Sequence, residues 1–266
     1  MWYPVYIIVT DFDKHFKHIL YLTVIVSIIV PLSGCIDDST IKTINLSDNV
    51  LSSNSNPNHT PSSVMSKIKP YMVPEYAINP NKPMLQSQEM NGKVYIYKLP
   101  TTPIVYVFTS SAAIDCDGQG AKVCETDPTH LSETSFQQSD GKPLAPAALP
   151  WYVLPETPNP IFDYGQRDIY GGQVGALIYG DNIEYGVFGD ERGRDVGNSA
   201  GLAIGEVSYA MAELLGIPSS PSVGGVDSSV TYIIFTTKGN IVTPIENHAK
   251  AETMGQNALD WLLSQI

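Results

Sequence analysis

Over most of residues 92–235 the chain carries short apolar runs bounded by Gly, Pro, Asn and Asp. Gly92–Tyr97 alternates apolar and polar side chains, the pattern of a half-buried strand. Ile104–Thr109 is almost continuously apolar and predicts a buried strand, which Ser111–Ile114 extends. Trp151–Leu154, between prolines at 150 and 155, predicts another. Gln173–Tyr179 and Ile183–Phe188 flank Gly180, Asp181 and Asn182 and predict a hairpin, and Val230–Phe235 adds a further strand. The period turns helical twice. Val207, Ala210, Met211, Leu214 and Leu215 form one apolar stripe that Gly216 and Pro218 terminate, and Ala251, Met254, Ala258, Trp261 and Leu262 share one side of a closing helix over 249–263. Strands do not alternate with long helices, which argues against a doubly wound sheet. The expected class is mainly β with flanking helices, either a barrel or a β-sandwich-like α+β arrangement.

The N-terminal third differs. Lys14, His15, Lys17 and His18 precede an apolar run from Ile19 to Leu32, and Leu32-Ser-Gly-Cys35 follows. A basic segment, an apolar core and small residues before a cysteine describe an export signal. The last four residues resemble a lipoprotein lipobox, which implies cleavage before Cys35 and lipid on its sulfur. The run is short for a spanning helix, though an uncleaved anchor is the alternative. Residues 36–70, rich in Ser, Asn, Thr and Pro, are expected to form a flexible tether, leaving residues 71–266 as the folded domain.

Composition narrows the partners. The 266 residues carry a formal charge of −12, so the surface repels nucleic acid and attracts cations. Only three cysteines are present. With Cys35 assigned to the leader, Cys116 and Cys124 are expected to form a disulfide, the default in an exported domain. A metal site would want about four ligands and only His130 stands nearby, so neither metal nor cofactor is expected. Asp115 and Asp117 flank Cys116 and suit either a turn or the wall of a cleft for a cationic sugar.

Two acids remain. Asp190 ends the strand that starts before Tyr185, and Glu206 opens the predicted helix after a Gly-rich polar loop. In isolation they fit a turn aspartate and a helix-start charge. In combination they fit a general acid and a general base.

The motifs Ile114-Asp-Cys-Asp-Gly118, Trp151-Tyr-Val-Leu-Pro155, Tyr185-Gly-Val-Phe-Gly-Asp190, Ile204-Gly-Glu206 with Ser208-Tyr-Ala210, and Leu215-Gly-Ile217 with Gly224-Gly225 together resemble glycoside hydrolase family 75, the endo-chitosanases. The resemblance implies a double-psi-type β-barrel and inverting hydrolysis of β-1,4-linked glucosamine by Asp190 and Glu206. Glu206 is taken as the acid and Asp190 as the base, with Asp115 and Asp117 binding ammonium groups and Tyr185 stacking on a sugar. The expected enzyme is a monomer acting on chitosan, held at the outer face of the membrane or secreted. Arg192 and Arg194 depart from the pattern, as cations beside a cationic substrate. Two other classes compete. Gly197-Asn-Ser-Ala-Gly201, with Asp227 and His248 downstream, matches the serine-hydrolase elbow, although no good strand precedes Ser199. A non-catalytic carbohydrate-binding or envelope-binding lipoprotein is the other.

Overall fold

The computed structural model describes residues 59–88, 90–193 and 200–266. The predicted leader with Cys35, most of the tether, and Ser199 lie outside them.

Ten strands and three α-helices are described. They are β1 (Met84–Gln86), β2 (Lys93–Val94), β3 (Ile96–Lys98), β4 (Val105–Asp115), β5 (Trp151–Pro155), β6 (Val174–Tyr179), β7 (Asn182–Arg192), β8 (Ala203–Ile204), β9 (Glu206–Ser208) and β10 (Val226–Phe235), with α1 (Pro61–Ile68), α2 (Tyr209–Leu215) and α3 (His248–Gln265). Six strands run in the order β10-β6-β7-β5-β9-β4, and β10 also pairs with β4. The sheet therefore closes into a barrel and loses its free edges. That closure decides for the barrel against the sandwich. Two pairs in the ring are parallel, β4 with β9 and β5 with β7, and the others are antiparallel.

Alternation along the strands feeds two apolar clusters. On one face Phe108 stacks on Tyr232 with ring centroids 4.7 Å apart, and Tyr152 on Phe188 at 5.9 Å. On the other, Val107, Ile178, Ile233 and Phe235 meet Leu259 and Leu262 of α3. Each such side chain, taken fully out of water, contributes roughly 1.5–3 kcal/mol.

Three expectations change. Residues 61–70 are not tether. Thr60 Oγ1 accepts the Ser63 N–H at 3.2 Å, Ser63 Oγ caps Thr60 in return, and Pro61 opens the helix. Val64 and Ile68, four residues apart, are then fully buried, a stripe too short to stand out among the surrounding polar residues. Secondly, Glu206 starts strand β9 rather than a helix; the cap of α2 is Ser208, whose Oγ accepts the Met211 N–H at 3.2 Å. Thirdly, Met254 and Trp261 are half-buried at the rim of α3 while Gly255 and Leu259 are buried, so the helix presents a different face than the apolar count suggested.

Candidate active site

Val153, in the middle of β5, is in register with Asp190 on β7 and with Glu206 on β9. Residues in register on neighbouring strands face the same side of a sheet, so the two acids flank one valine on one face. Strands lie about 4.8 Å apart, which places the two Cα atoms roughly 9–10 Å from each other.

A bulge makes this possible. The partners of β5 jump from Phe188, opposite Tyr152, to Asp190, opposite Val153, and skip Gly189. Without the extra residue Asp190 would turn to the opposite face. A side chain at 189 would put Cβ within 2.6 Å of Trp151, so glycine is required. Gly205 does the same for Glu206. Its φ is +112°, and a Cβ there would lie 2.4 Å from Ser110 Oγ and 2.7 Å from the Ser111 carbonyl of β4. The close approach lets Ala113 N donate to Gly205 O and sets the β4–β9 register, in which Ala113 faces Glu206.

Asp115 ends β4 on the same face. Its Oδ2 accepts the indole N–H of fully buried Trp151 at 2.8 Å, and its Oδ1 accepts the Asp117 N–H at 2.9 Å. Asp117 Oδ1 accepts the Leu131 N–H. Cys116, between them, is bonded to Cys124 as expected, and His130 Nδ1 lies 2.8 Å from the Cys116 carbonyl oxygen. Asp190 is 5 % exposed, and Oδ1 takes all three of its protein donors: Ser135 N–H (2.8 Å), Ser135 O–H (2.7 Å) and Glu191 N–H (2.8 Å).

Asp115, Asp117 and Asp190 bring one oxygen each to within 4.8 Å of one another. Among the described residues this is the one group that could hold a metal ion, and three hard oxygens so placed suit any cation, ammonium included. Burial, then the charges of Asp190 and Asp117, push the Asp115 carboxyl well above its ordinary value. Burial lifts Asp117 to about 6, against the Leu131 hydrogen bond. Burial also raises Asp190, with the Ser135 donors opposing it. Glu206 differs: its Oε1 forms an ion pair with Arg192.

The structure thus assembles Asp115, Asp117 and Asp190 and aligns Glu206 with them. Tyr185 is not there. It is 5 % exposed and packs against Gly255 of α3: it shares the face of Val153, but α3 covers that end of β7 and takes its ring into the core. Two residues passed unnoticed as partners of the site, Ser135 and Trp151, and Arg192 stood out only as a cation beside a cationic substrate. Ser135 lies 55 positions from Asp190 in sequence, with no local signal. Of the esterase residues, Asp227 is exposed at the start of β10, and His248 Nε2 lies 3.7 Å from Glu252. An open depression of about 560 Å³ edged by Asn240, Lys250, Met254 and Trp261 has no carboxylate in its walls, and so no acid–base pair.

The described residues thus form a closed six-stranded barrel that carries an aspartate and a glutamate in register with one valine. Residues 112–262 match the family described as fungal chitosanase of glycosyl hydrolase group 75, and the chain belongs to that family. It is 31 % identical over 147 residues to endo-chitosanase B of Aspergillus oryzae, a match covering 50 % of this chain and 57 % of the relative. It is 28 % identical over 134 residues to endo-chitosanase C of the same organism, covering 49 % of this chain and 31 % of the relative. The chain therefore spans little more than half of one of these relatives and a third of the other.

Proposed function

We propose that this chain is an exported endo-chitosanase that hydrolyses β-1,4-glucosamine linkages with inversion, using Asp190 and Glu206. One observation carries the proposal: both acids are in register with Val153 from opposite sides, on one face. Inverting hydrolases hold their two carboxyls ~6.5–9.5 Å apart so that a water fits opposite the leaving oxygen. Two strand spacings put the Cα atoms of the pair roughly 9–10 Å apart, which supports such a gap. Family membership and the chitosanases it resembles support the substrate. The acidic trio supports it independently, since each glucosamine unit brings an ammonium group.

Burial raises the Asp190 carboxyl, which supports Asp190 as the donor, the reverse of the role expected from its motif. Its proton passes to the glycosidic oxygen as the C1–O bond breaks. Glu206 takes a proton from the water, whose oxygen bonds C1 from the opposite face. The product is a reducing end of inverted configuration and a free hydroxyl on the departing chain. The leader before Cys35, the tether beyond it and lipid on its sulfur belong to the same proposal; the Cys116–Cys124 disulfide favours an oxidising compartment.

Soluble chitosan incubated with the protein should lose viscosity rapidly, and proton NMR of the first products should show the inverted anomer. An unchanged viscosity with chitosan bound would identify a binder. Retained configuration would remove the two-carboxylate scheme.

A further inference from the structure

Charge is distributed unevenly along the face that carries the two acids. The register puts Asp190, Val153 and Glu206 in one row across β7, β5 and β9. Two residues on along β7, at the level of Pro155, stands Arg192. Two residues the other way, at the level of Trp151, stands Asp115, bonded to that indole and followed by Asp117. The row thus divides a cationic side from an anionic side. Among the described residues the charged groups on the strands beside Glu206 are Arg192, Glu191 and Asp190 from β7 and Asp115 with Asp117 from the end of β4, while β5 contributes uncharged Val153. Among the described residues Arg192 alone forms an ion pair with Glu206.

We propose that Arg192 is a positioning residue that holds Glu206 as an ionised carboxylate facing the cleavage point, so that Glu206 serves as the base of the pair. This rests on the chitosanase reading above. The guanidinium is well restrained. Its side chain is 20 % exposed, one terminal nitrogen pairs with Glu206, the other lies 3.9 Å from Met90 Sδ, and Nε is buried without a hydrogen-bond partner. Among the described residues Glu206 is the one carboxylate in ion-pair contact with Arg192, and the charge of Asp115 also acts on it. A cation in contact favours the charged form of an acid, and neighbouring acids favour the neutral form of another. Arg192 therefore favours the charged form of Glu206, whereas burial, and after it the charge of Glu191, favours the neutral form of Asp190. The two carboxyls are thereby pushed in opposite directions. The cation that looked misplaced beside a cationic substrate has its role in this split, while ammonium recognition falls to the anionic side.

The test is the pH dependence of kcat/KM on chitosan for the wild-type protein, Arg192→Gln and Arg192→Lys. The acid limb reports protonation of the base. In Arg192→Gln it should move up by about one pH unit, with roughly tenfold lower activity below the wild-type limb and a much smaller loss near neutrality. Arg192→Lys, which keeps the charge, should stay near the wild-type limb. An unmoved limb in Arg192→Gln, or an equal shift in both variants, overturns the assignment. Should the Gln variant fail to fold, ¹³C NMR titration of the Glu206 carboxyl in the wild-type protein decides the matter. Titration at or above the ordinary glutamate value of ~4.3 overturns it, and titration below supports it. A wild-type protein inert on chitosan overturns the chitosanase reading instead; the Glu206 titration still measures the contact with Arg192.

Discussion

Strand β7 carries two buried acids, Glu184 near its start and Asp190 near its end, each 5 % exposed and each raised by burial. Their surroundings differ. On Glu184 only burial acts, then the charge of Glu252 on α3, and the carboxyl is lifted to about 7. Asp190 has three donors on one oxygen, two further carboxyls within 4.8 Å, and a second acid across Val153. A displaced proton equilibrium is therefore not what marks a site; both ends of the strand have it. What differs is the company the acid keeps: donors on one oxygen, two further carboxyls close by, and an acid, paired with an arginine, in register across Val153.

The largest effect expected from separating the two ends is on turnover. Asp190→Asn and Glu206→Gln should each lower chitosan hydrolysis by about 10³-fold, within the range of a lost acid or base. Glu184→Gln should leave it within twofold. Viscometry and reducing-end release check all three. Full activity in Asp190→Asn would end the two-carboxylate scheme, and a large loss in Glu184→Gln would erase the distinction between the two ends.

The next effect is structural and concerns how Glu206 is delivered. In Gly205→Ala the methyl meets Ser110 and the Ser111 carbonyl at a backbone angle that L-residues avoid, so β4 and β9 must move apart. A loss of about 2–3 kcal/mol is expected, with activity falling even where the variant stays folded. Chemical denaturation measures the first and the chitosan assay the second. An alanine variant of wild-type stability would mean that the close β4–β9 approach does not set the register.

A smaller effect separates the acids by pH. Glu184 holds its proton more tightly folded than unfolded, so its contribution to stability is intact below pH ~4.3 and is lost as pH rises towards 7. Asp115 and Asp117 are shifted in the same direction, so the melting temperature should fall across that window. Glu184→Gln should make the fall shallower and raise the melting temperature by a few degrees at pH 8. Calorimetry from pH 4 to 8 shows it; parallel curves for the two proteins would mean that Glu184 is not desolvated.

Much of this was legible in sequence, and the limits have physical causes. Strands β4 to β7 and β10 are visible because apolar side chains cluster wherever a strand is buried on both faces. Asp190, Glu206 and the cysteine pair stand in motifs. Hidden were the features that depend on register. The bulge at Gly189 decides which face Asp190 occupies, and nothing in Tyr185–Asp190 announces it. Tyr185 was misplaced for another reason: it is on the face of the acids, and the sequence of β7 does not show that α3 covers that end of it. The start of α2 was set two residues early because Val207 fits an apolar stripe as well as it fits a strand. Ser135 could not be foreseen at all, since the barrel alone brings it to Asp190.

That serine supplies the finest distinction between the two ends of β7. It gives Asp190 two of its three donors, one from the backbone and one from the hydroxyl. Donors to a carboxylate favour the charged form, so they oppose the burial that raises Asp190. Ser135→Ala removes the hydroxyl and keeps the backbone N–H. The donor should then hold its proton to higher pH, and the alkaline limb of kcat/KM should move up by about half a unit while the acid limb, set at Glu206, stays in place. Glu184 has no such serine, and its variant should move neither limb. If Ser135→Ala shifts the acid limb instead, Asp190 is the base and Glu206 the donor, and the polarity drawn here for the pair is inverted.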